Sequence, residues 1–439
     1  MKKRILAVLM ATVMVVGMAA CQAAPAPAEE KPAVEEPAAE EPAAEEPAVE
    51  EPAAEATGEI PEIVLSRWAG PHADDQKKVV EQYTDAKIII DDIDYGNLQQ
   101  KQIQSMSTSA DYDLVWFQEI WLNEYVTQDF LLPLNDLVQK EGADLSIYLP
   151  SMIEGNTVDG QFYGFPTMAQ TYILTYNKEW FDKEGQKVPE TPEELVAVAK
   201  YFKEQGTGIA IPALQGMAAA DVFASLLFSF GGDYFTEDGQ LNLTSDEAVK
   251  AMQLWKDLCD NSMTGSLTWH NDQVSQAIRE EQAPFGITIT GLGSLDADPE
   301  QSLIVDKVAY APIPGEKGSI GVVSYWSWGV AANSKNTDAA FNVAKWLTSP
   351  EIEKEQAMMN GQITAVASLA EDAEVVANIP FLGAANAMLE NAKTQPSTGN
   401  ASQIFEPLCA TLSEVGSTGV DPKEALEKLQ ASLADVSNK

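Results

Sequence analysis

The stretch "TYILTYNKEWFDKEGQKVPETPEELVAVAKYFK", residues 171–203, sets the fold class. Its first seven residues are a short apolar, β-branched and aromatic run, the composition of a buried strand. Its second half starts a helix. Thr191-Pro192-Glu193-Glu194 is a capping box with proline at the first helical position, and Leu195, Val198, Ala199 and Phe202 recur behind it at helical spacing. Thr348-Ser349-Pro350-Glu351 and Asp421-Pro422-Lys423-Glu424 repeat the device. Outward from this stretch, "EIVLSRW", "AKIIIDDIDYG", "DYDLVWF", "GIAIPA", "APFGITITG" and "KVAYAPIP" are further strand-like runs bounded by turn formers. Strands alternating with capped helices predict an α/β protein with more than one sheet.

The N-terminus is a targeting segment. Lys2, Lys3 and Arg4 precede an apolar run from Ile5 to Met18, which is short for a membrane span, and small residues follow before Cys21. Met18-Ala19-Ala20-Cys21 resembles a bacterial lipobox with Met in place of the usual Leu, so Cys21 is the expected lipidation site. Residues 22–59 repeat Glu-Glu-Pro-Ala-(Ala/Val) with almost no bulky apolar side chain. Such a chain cannot bury enough surface to offset its entropy, and proline and charge repulsion extend it. At ~3.1 Å per residue it is a tether of roughly 100 Å.

The net charge is −40; the first 20 residues carry +3 and residues 21–59 carry −11, which leaves −32 on the body, residues 60–439. That sign disfavours nucleic acid and anionic lipid as partners. A body of this length suggests two domains. Only Cys259 and Cys409 remain beside Cys21; Cys259 shares a helix face with Ala248, Met252 and Trp255, the pattern of a buried thiol, and export would permit a bridge to Cys409. No Cys/His spacing suits a metal. There is no Gly-x-Ser-x-Gly elbow, phosphate loop or Gly-x-Gly-x-x-Gly, so no cofactor is implied. Asp91, Asp92 and Asp94 read as a solvated strand end, and neither His72 nor His270 lies near a nucleophile.

In "GVVSYWSWGVAA", a strand places Trp326 and Trp328 on one face and Tyr325 on the other. Two adjacent indoles serve either core packing or a stacking platform.

The order of segments resembles the family 1 extracellular solute-binding proteins of ABC importers, relatives of maltose-binding protein. The resemblance rests on "DYDLVWFQEIWLNEYVTQDFLLPLNDL", on "VDGQFYGFPTMAQTYILTYNKEWFDKEG" with its Asp-Gly-x-x-Tyr-Gly-x-Pro, on "VPETPEELVAVAKYFK" and on "SKNTDAAFNVAKWLTSPEIEKEQAM". It implies a type II, periplasmic-binding-protein-like fold of two discontinuous lobes, 60–167 with 325–360 and 168–324 with 361–439. The expected hinge crossings lie near Phe165 to Thr171 and Gly321 to Ser324. It implies a monomeric receptor on the outer face of the cell membrane that passes a small molecule to permease subunits. Trp326 would line the cleft, half solvated until the lobes close. Leu292 and Gly293 stand where the family has Gly-x-Trp.

The segments expected at strand ends, "SRWAGPH", "WFQEIW", "TMAQTY", "AADVFAS", "TITGLG" and "SYWSWG", are rich in aromatics, amides and acids. Indole faces suit the C–H faces of a sugar, and carboxylates or amides accept from hydroxyls. Trp68, Trp121, Trp326 and Trp328 are stacking candidates, Gln118, Glu119, Gln170 and Asp221 hydroxyl partners, and Tyr172 and Gly291 further wall positions. Trp116 reads as core, and Asp221 has a helix cap as its alternative. Only Arg67 and His72 could meet an anion. The expected ligand is therefore a sugar or oligosaccharide, with a polyol, uronate or glycerol phosphate as alternatives. A secreted glycan-active enzyme and a surface adhesin are the competing classes, to be separated by turnover of oligosaccharide and by binding to protein.

Overall fold

In a computed structural model, residues 60–69, 73–396 and 401–436 are described; Cys21, the tether and His72 lie outside them. Strand β1 (Glu62–Trp68) pairs in parallel with β2 (Lys87–Ile93), so that Arg67 lies opposite Asp92, and with β3 (Leu114–Gln118). β4 (Thr157–Val158) and β5 (Gln161–Phe162) form a hairpin across Asp159-Gly160, both at positive φ, the two-residue turn that matches strand twist. β6 (Phe165–Gln170) is followed at once by β7 (Tyr172–Asn177), then by β8 (Phe285–Ile289), β9 (Val308–Ala311) and β10 (Ser324–Val330).

Two larger sheets result. One has the order β2-β1-β3-β10-β6, the other β8-β7-β9, so the chain changes sheet at the single residue Thr171 and returns between β9 and β10. Thr171 ties these passages together: its hydroxyl donates to Val322 O at 2.7 Å, and its N–H donates to Thr290 Oγ1 at 3.1 Å. A third passage crosses beside them, through the bridges Ala169↔Ile363 and Val322↔Lys393.

Most strand-like runs form strands. "GIAIPA" does not: Ala210 donates to Phe285 O and accepts from Ile287 N, and Ile209 bridges Ser262, but pairing goes no further. Pro212, with no N–H, stops the ladder. The helix Pro192–Glu204 starts where expected, its Thr191 hydroxyl accepting from Glu194 N at 3.2 Å while Leu195, Val198, Ala199 and Phe202 are buried, but the Glu194 carboxylate accepts from Glu190 N at 2.8 Å rather than from Thr191 N, so only half of the expected box forms. Asp421 likewise accepts from Glu424 N. Ser349 departs from the pattern. It is the N-cap in place of Thr348, its hydroxyl donates back to Trp346 O, Thr348 donates back to Ala344 O, and the residue three beyond Ser349 is the apolar Ile352, so no box closes at Pro350–Asn360.

Cys259 and Cys409 are separate buried thiols on Asp246–Asp260 and Phe405–Thr418. The permitted disulfide is absent. Those helices are joined instead by packing and by Trp255 Nε1 donating to Leu412 O at 3.0 Å. Among the described residues, no helix is long and apolar enough to cross a membrane.

Candidate binding site

A cavity of about 430 Å³ opens between the two larger sheets. One wall comes from the first sheet: Trp68 ends β1, Tyr95 starts the helix Tyr95–Gln104, Gln118 ends β3, and Ser324 and Trp326 lie on β10. Gln170, which ends β6 beside Ser324, also belongs to this wall; the other comes from Tyr172, from Met217, Ala218 and Asp221 on the helix Met217–Ser229, from His270, Asn271 and Asp272 where Asn271–Arg279 begins, and from Ile289 at the end of β8 with Gly291 and Leu292 beyond it. A second cavity of similar volume lies between Leu149 and residues 362–390, lined mainly by aliphatic side chains such as Leu369, Val375 and Leu382.

The first wall is aromatic. Trp68 and Trp326 lie nearly parallel, at 13° with centroids 6.1 Å apart, and Tyr95 meets both edge-on at 6.1 Å. Trp116 packs behind Trp326 at 4.5 Å and Trp121 meets it edge-on at 5.5 Å. Trp326 and Trp328 share a face, as strand alternation requires, and both touch Trp116, whereas Tyr325 points the other way and packs against Gly155. The expectation of a half-solvated Trp326 is not met: the indole is 3% exposed because Trp68, Trp116 and Trp121 pack around it.

Seven of the expected positions line the cavity: Trp68, Gln118, Gln170, Tyr172, Asp221, Gly291 and Trp326. The other four stand behind its walls. Trp328 is fully buried against Trp116, a core position, and Trp121 is buried behind Trp326. Arg67 is spent internally, donating to Asp92 Oδ1 at 2.8 Å, to Gln76 Oε1 at 2.6 Å and to Ala73 O. Glu119 is buried and accepts from Tyr325 N at 3.0 Å and Ser324 Oγ at 3.3 Å, a strut from the end of β3 to β10. Burial pushes its carboxyl up to about 8, offset in part by the Tyr325 N–H and reinforced by the nearby Asp221.

Asp221 does not cap a helix. It sits inside Met217–Ser229, where Oδ1 accepts from Gln395 Nε2 at 2.9 Å, and desolvation at the half-buried cavity wall pushes its carboxyl up to about 7 against that bond. Gln118 accepts from Tyr95 Oη at 2.8 Å and donates to Ser324 Oγ at 3.1 Å. Tyr172 Oη accepts from Asn271 Nδ2 at 3.2 Å, while Asn271 Oδ1, buried, has no partner among the described residues. Tyr95 was legible as the residue after a strand's C-terminal end. Nothing local marked His270–Asp272, which tertiary packing carries to the cavity from a helix start about a hundred residues beyond β7.

Two sheets joined by several crossings, with a pocket where strand ends meet, is an arrangement for clamping a small molecule. The profile of the bacterial extracellular solute-binding protein family matches residues 69–354. The chain belongs to this family. It is a solute-binding protein of an ABC transporter, with the two-lobed type II α/β fold. This solute-binding protein is 25% identical over 357 residues to a probable amino-acid ABC transporter periplasmic-binding protein of Sinorhizobium fredii, covering 78% of this chain and 80% of that one. A solute-binding protein of Agrobacterium radiobacter K84 solved with ribitol superposes with a TM-score of 0.71 at 25% identity, over 85% of this chain and 98% of that one. Maltose-bound MalE3 of T. maritima superposes with a TM-score of 0.74 at 24% identity, over 85% and 98%, a likeness of fold.

Proposed function

We propose that the protein captures a sugar or polyol in the cavity between its lobes and delivers it to an ABC permease outside the cytoplasm, without chemical turnover. One observation carries the reading: an aromatic wall formed by Trp68, Tyr95 and Trp326 faces, across about 430 Å³, a wall of acceptors that includes Asp221 and Asn271. A flat C–H face stacks on the first and hydroxyls donate to the second. The ribitol bound by the Agrobacterium relative is a ligand of this kind. The amino-acid function in the name of the Sinorhizobium relative is the competing reading. A free carboxylate calls for basic side chains, and among the described lining residues there is no Lys or Arg.

In this reading 60–167 with 325–360 form one lobe and 168–324 with 361–439 the other, to within the few residues by which β6 runs on to Gln170 and β10 begins at Ser324. Support comes from the helix Pro350–Asn360 packing on Ala73–Val80, and from Phe405–Thr418 packing on Met217–Ser229 and Asp246–Asp260. Cys21 carries the lipid, residues 22–59 form the leash, and the receptor works as a monomer at the outer face of the membrane. The leash and the lipobox sequence support this anchoring.

The test is a thermal-shift screen of the full chain against sugars, alditols, amino acids and phosphates, because a ligand that binds only the folded state raises Tm by mass action. Stabilisation by a sugar or alditol is expected. Stabilisation by amino acids alone would overturn the reading.

A further inference from the structure

The acceptor wall is short of positive charge. Asp221 and Asp272 line the cavity and Glu119 lies just behind it, while His270 is the one basic side chain among the described lining residues. Among the described residues, the Asp221 carboxylate receives a hydrogen bond from Gln395 and is offered no ion pair. Its field reaches Tyr95 on the aromatic wall, Tyr172 beside it and the carboxyl of Glu119, so it acts across the cavity. Asn271 adds an independent sign: its side chain is nine-tenths buried at the cavity wall, and Oδ1 has no partner. A buried acceptor such as Asn271 Oδ1 is costly until a donor arrives, and a half-buried carboxylate with no ion pair, such as Asp221, gains most when the arriving donor carries positive charge.

We propose that the captured solute is a polyol bearing a protonated amine, an amino sugar or aminoalditol, whose ammonium group is held between Asp221 and the aromatic wall of Trp68, Tyr95 and Trp326. The inference rests on reading the cavity as a polyol site. An ammonium supplies three N–H donors and the missing charge together, and indole faces attract cations through their quadrupole. A hydroxyl at the same place supplies one donor and no charge. The net charge of −32 on the body draws such a ligand in from solution.

Two matched pairs test this on the full-length chain by titration calorimetry at low salt: D-glucitol against 1-amino-1-deoxy-D-glucitol, and D-glucose against D-glucosamine. At pH 8 the amine of at least one pair is expected to bind tenfold or more tighter than its hydroxyl partner. Asp221→Asn should collapse that ratio, whatever it does to the affinity of the hydroxyl ligand. Should the variant fold poorly, the unaltered protein supplies the second readout. The preference of aminoglucitol, an alkylamine that stays protonated, should shrink from pH 8 to pH 5.5 as Asp221 takes up its proton. Of the groups packed around Asp221, Glu119 takes up its own proton in the same window, whereas Tyr95, Tyr172, Tyr234 and Cys409, all raised by burial, stay protonated throughout it; His270 and Asp272 lie on the cavity surface. Equal or weaker binding of both amines overturns the charge inference and leaves the polyol reading standing. A preference that survives both Asp221→Asn and acidic pH overturns it as well. Binding of amino acids with neither member of either pair overturns both readings.

Discussion

The two walls of the cavity are built on opposite plans. On the first sheet, the indole of Trp326 is enclosed by Trp68, Trp116 and Trp121, and Gln118 is satisfied by Tyr95 and Ser324, so these lining side chains are supported before any ligand arrives; the unpartnered indole N–H groups of Trp116 and Trp328 lie buried behind them. On the second, Asp221 is held by Gln395 on one oxygen and Asn271 keeps an unpartnered one. The supported wall provides a rigid face and apolar area. The incomplete wall selects, because its polar groups are satisfied only by a ligand of matching chemistry.

The largest effect expected lies deepest in the first wall. Trp328→Ala should cost about 3–5 kcal/mol in denaturant unfolding, since the indole is fully buried against Trp116. A cost below about 1 kcal/mol would mean the wall is not a packed unit. Trp326→Ala should lower both properties together: stability by about 3 kcal/mol, near the lower end of that range, and sugar affinity by at least roughly tenfold, or ~1.4 kcal/mol. Unchanged stability with collapsed affinity would make Trp326 a solvated platform after all.

The third expectation concerns pH. Burial raises Asp221 and Glu353 to about 7 and Glu119 to about 8. Between the unfolded carboxylate range and these values, the folded chain holds protons that the unfolded chain has released. Stability therefore falls as pH rises from about 4.5 to 8, on the order of 1 kcal/mol for each unit by which a group is raised. Melting should occur at higher temperature at pH 5 than at pH 8, and Glu119→Gln should flatten that slope; an unaltered slope would place the titration elsewhere. The smallest effect is at Gly291, where an added Cβ would lie 2.3 Å from Gln170 Nε2, the flexible end of its side chain. Gly291→Ala should turn Gln170 and weaken binding several-fold while shifting stability by less than about 0.5 kcal/mol. A large loss of stability would show that Gln170 is locked.

The sequence was most readable where local rules act. Strand composition located β1, β2, β3, β7, β8 and β9, and alternation put Trp326 and Trp328 on one face. Alternation gives a face and not a depth, however, so it could not show that Trp116 packs on both indoles and Trp121 on Trp326. Arg67 looked available to an anion because it sits near a strand end. Its fate was set by register, which places Asp92 opposite it, and by Gln76 from the next helix. The acceptor wall was the least readable. Asp221, Asn271 and Gln395 lie far apart in the chain and become one surface only through tertiary packing.

The most direct measurement is a crystal structure of the chain with the tightest ligand from the screen. The expected result is a single solute between the lobes, with a C–H face or ammonium against Trp326 and a donor within hydrogen-bond distance of Asp221. A solute bound elsewhere, or one in the cavity that touches neither residue, would contradict the division of labour between the two walls.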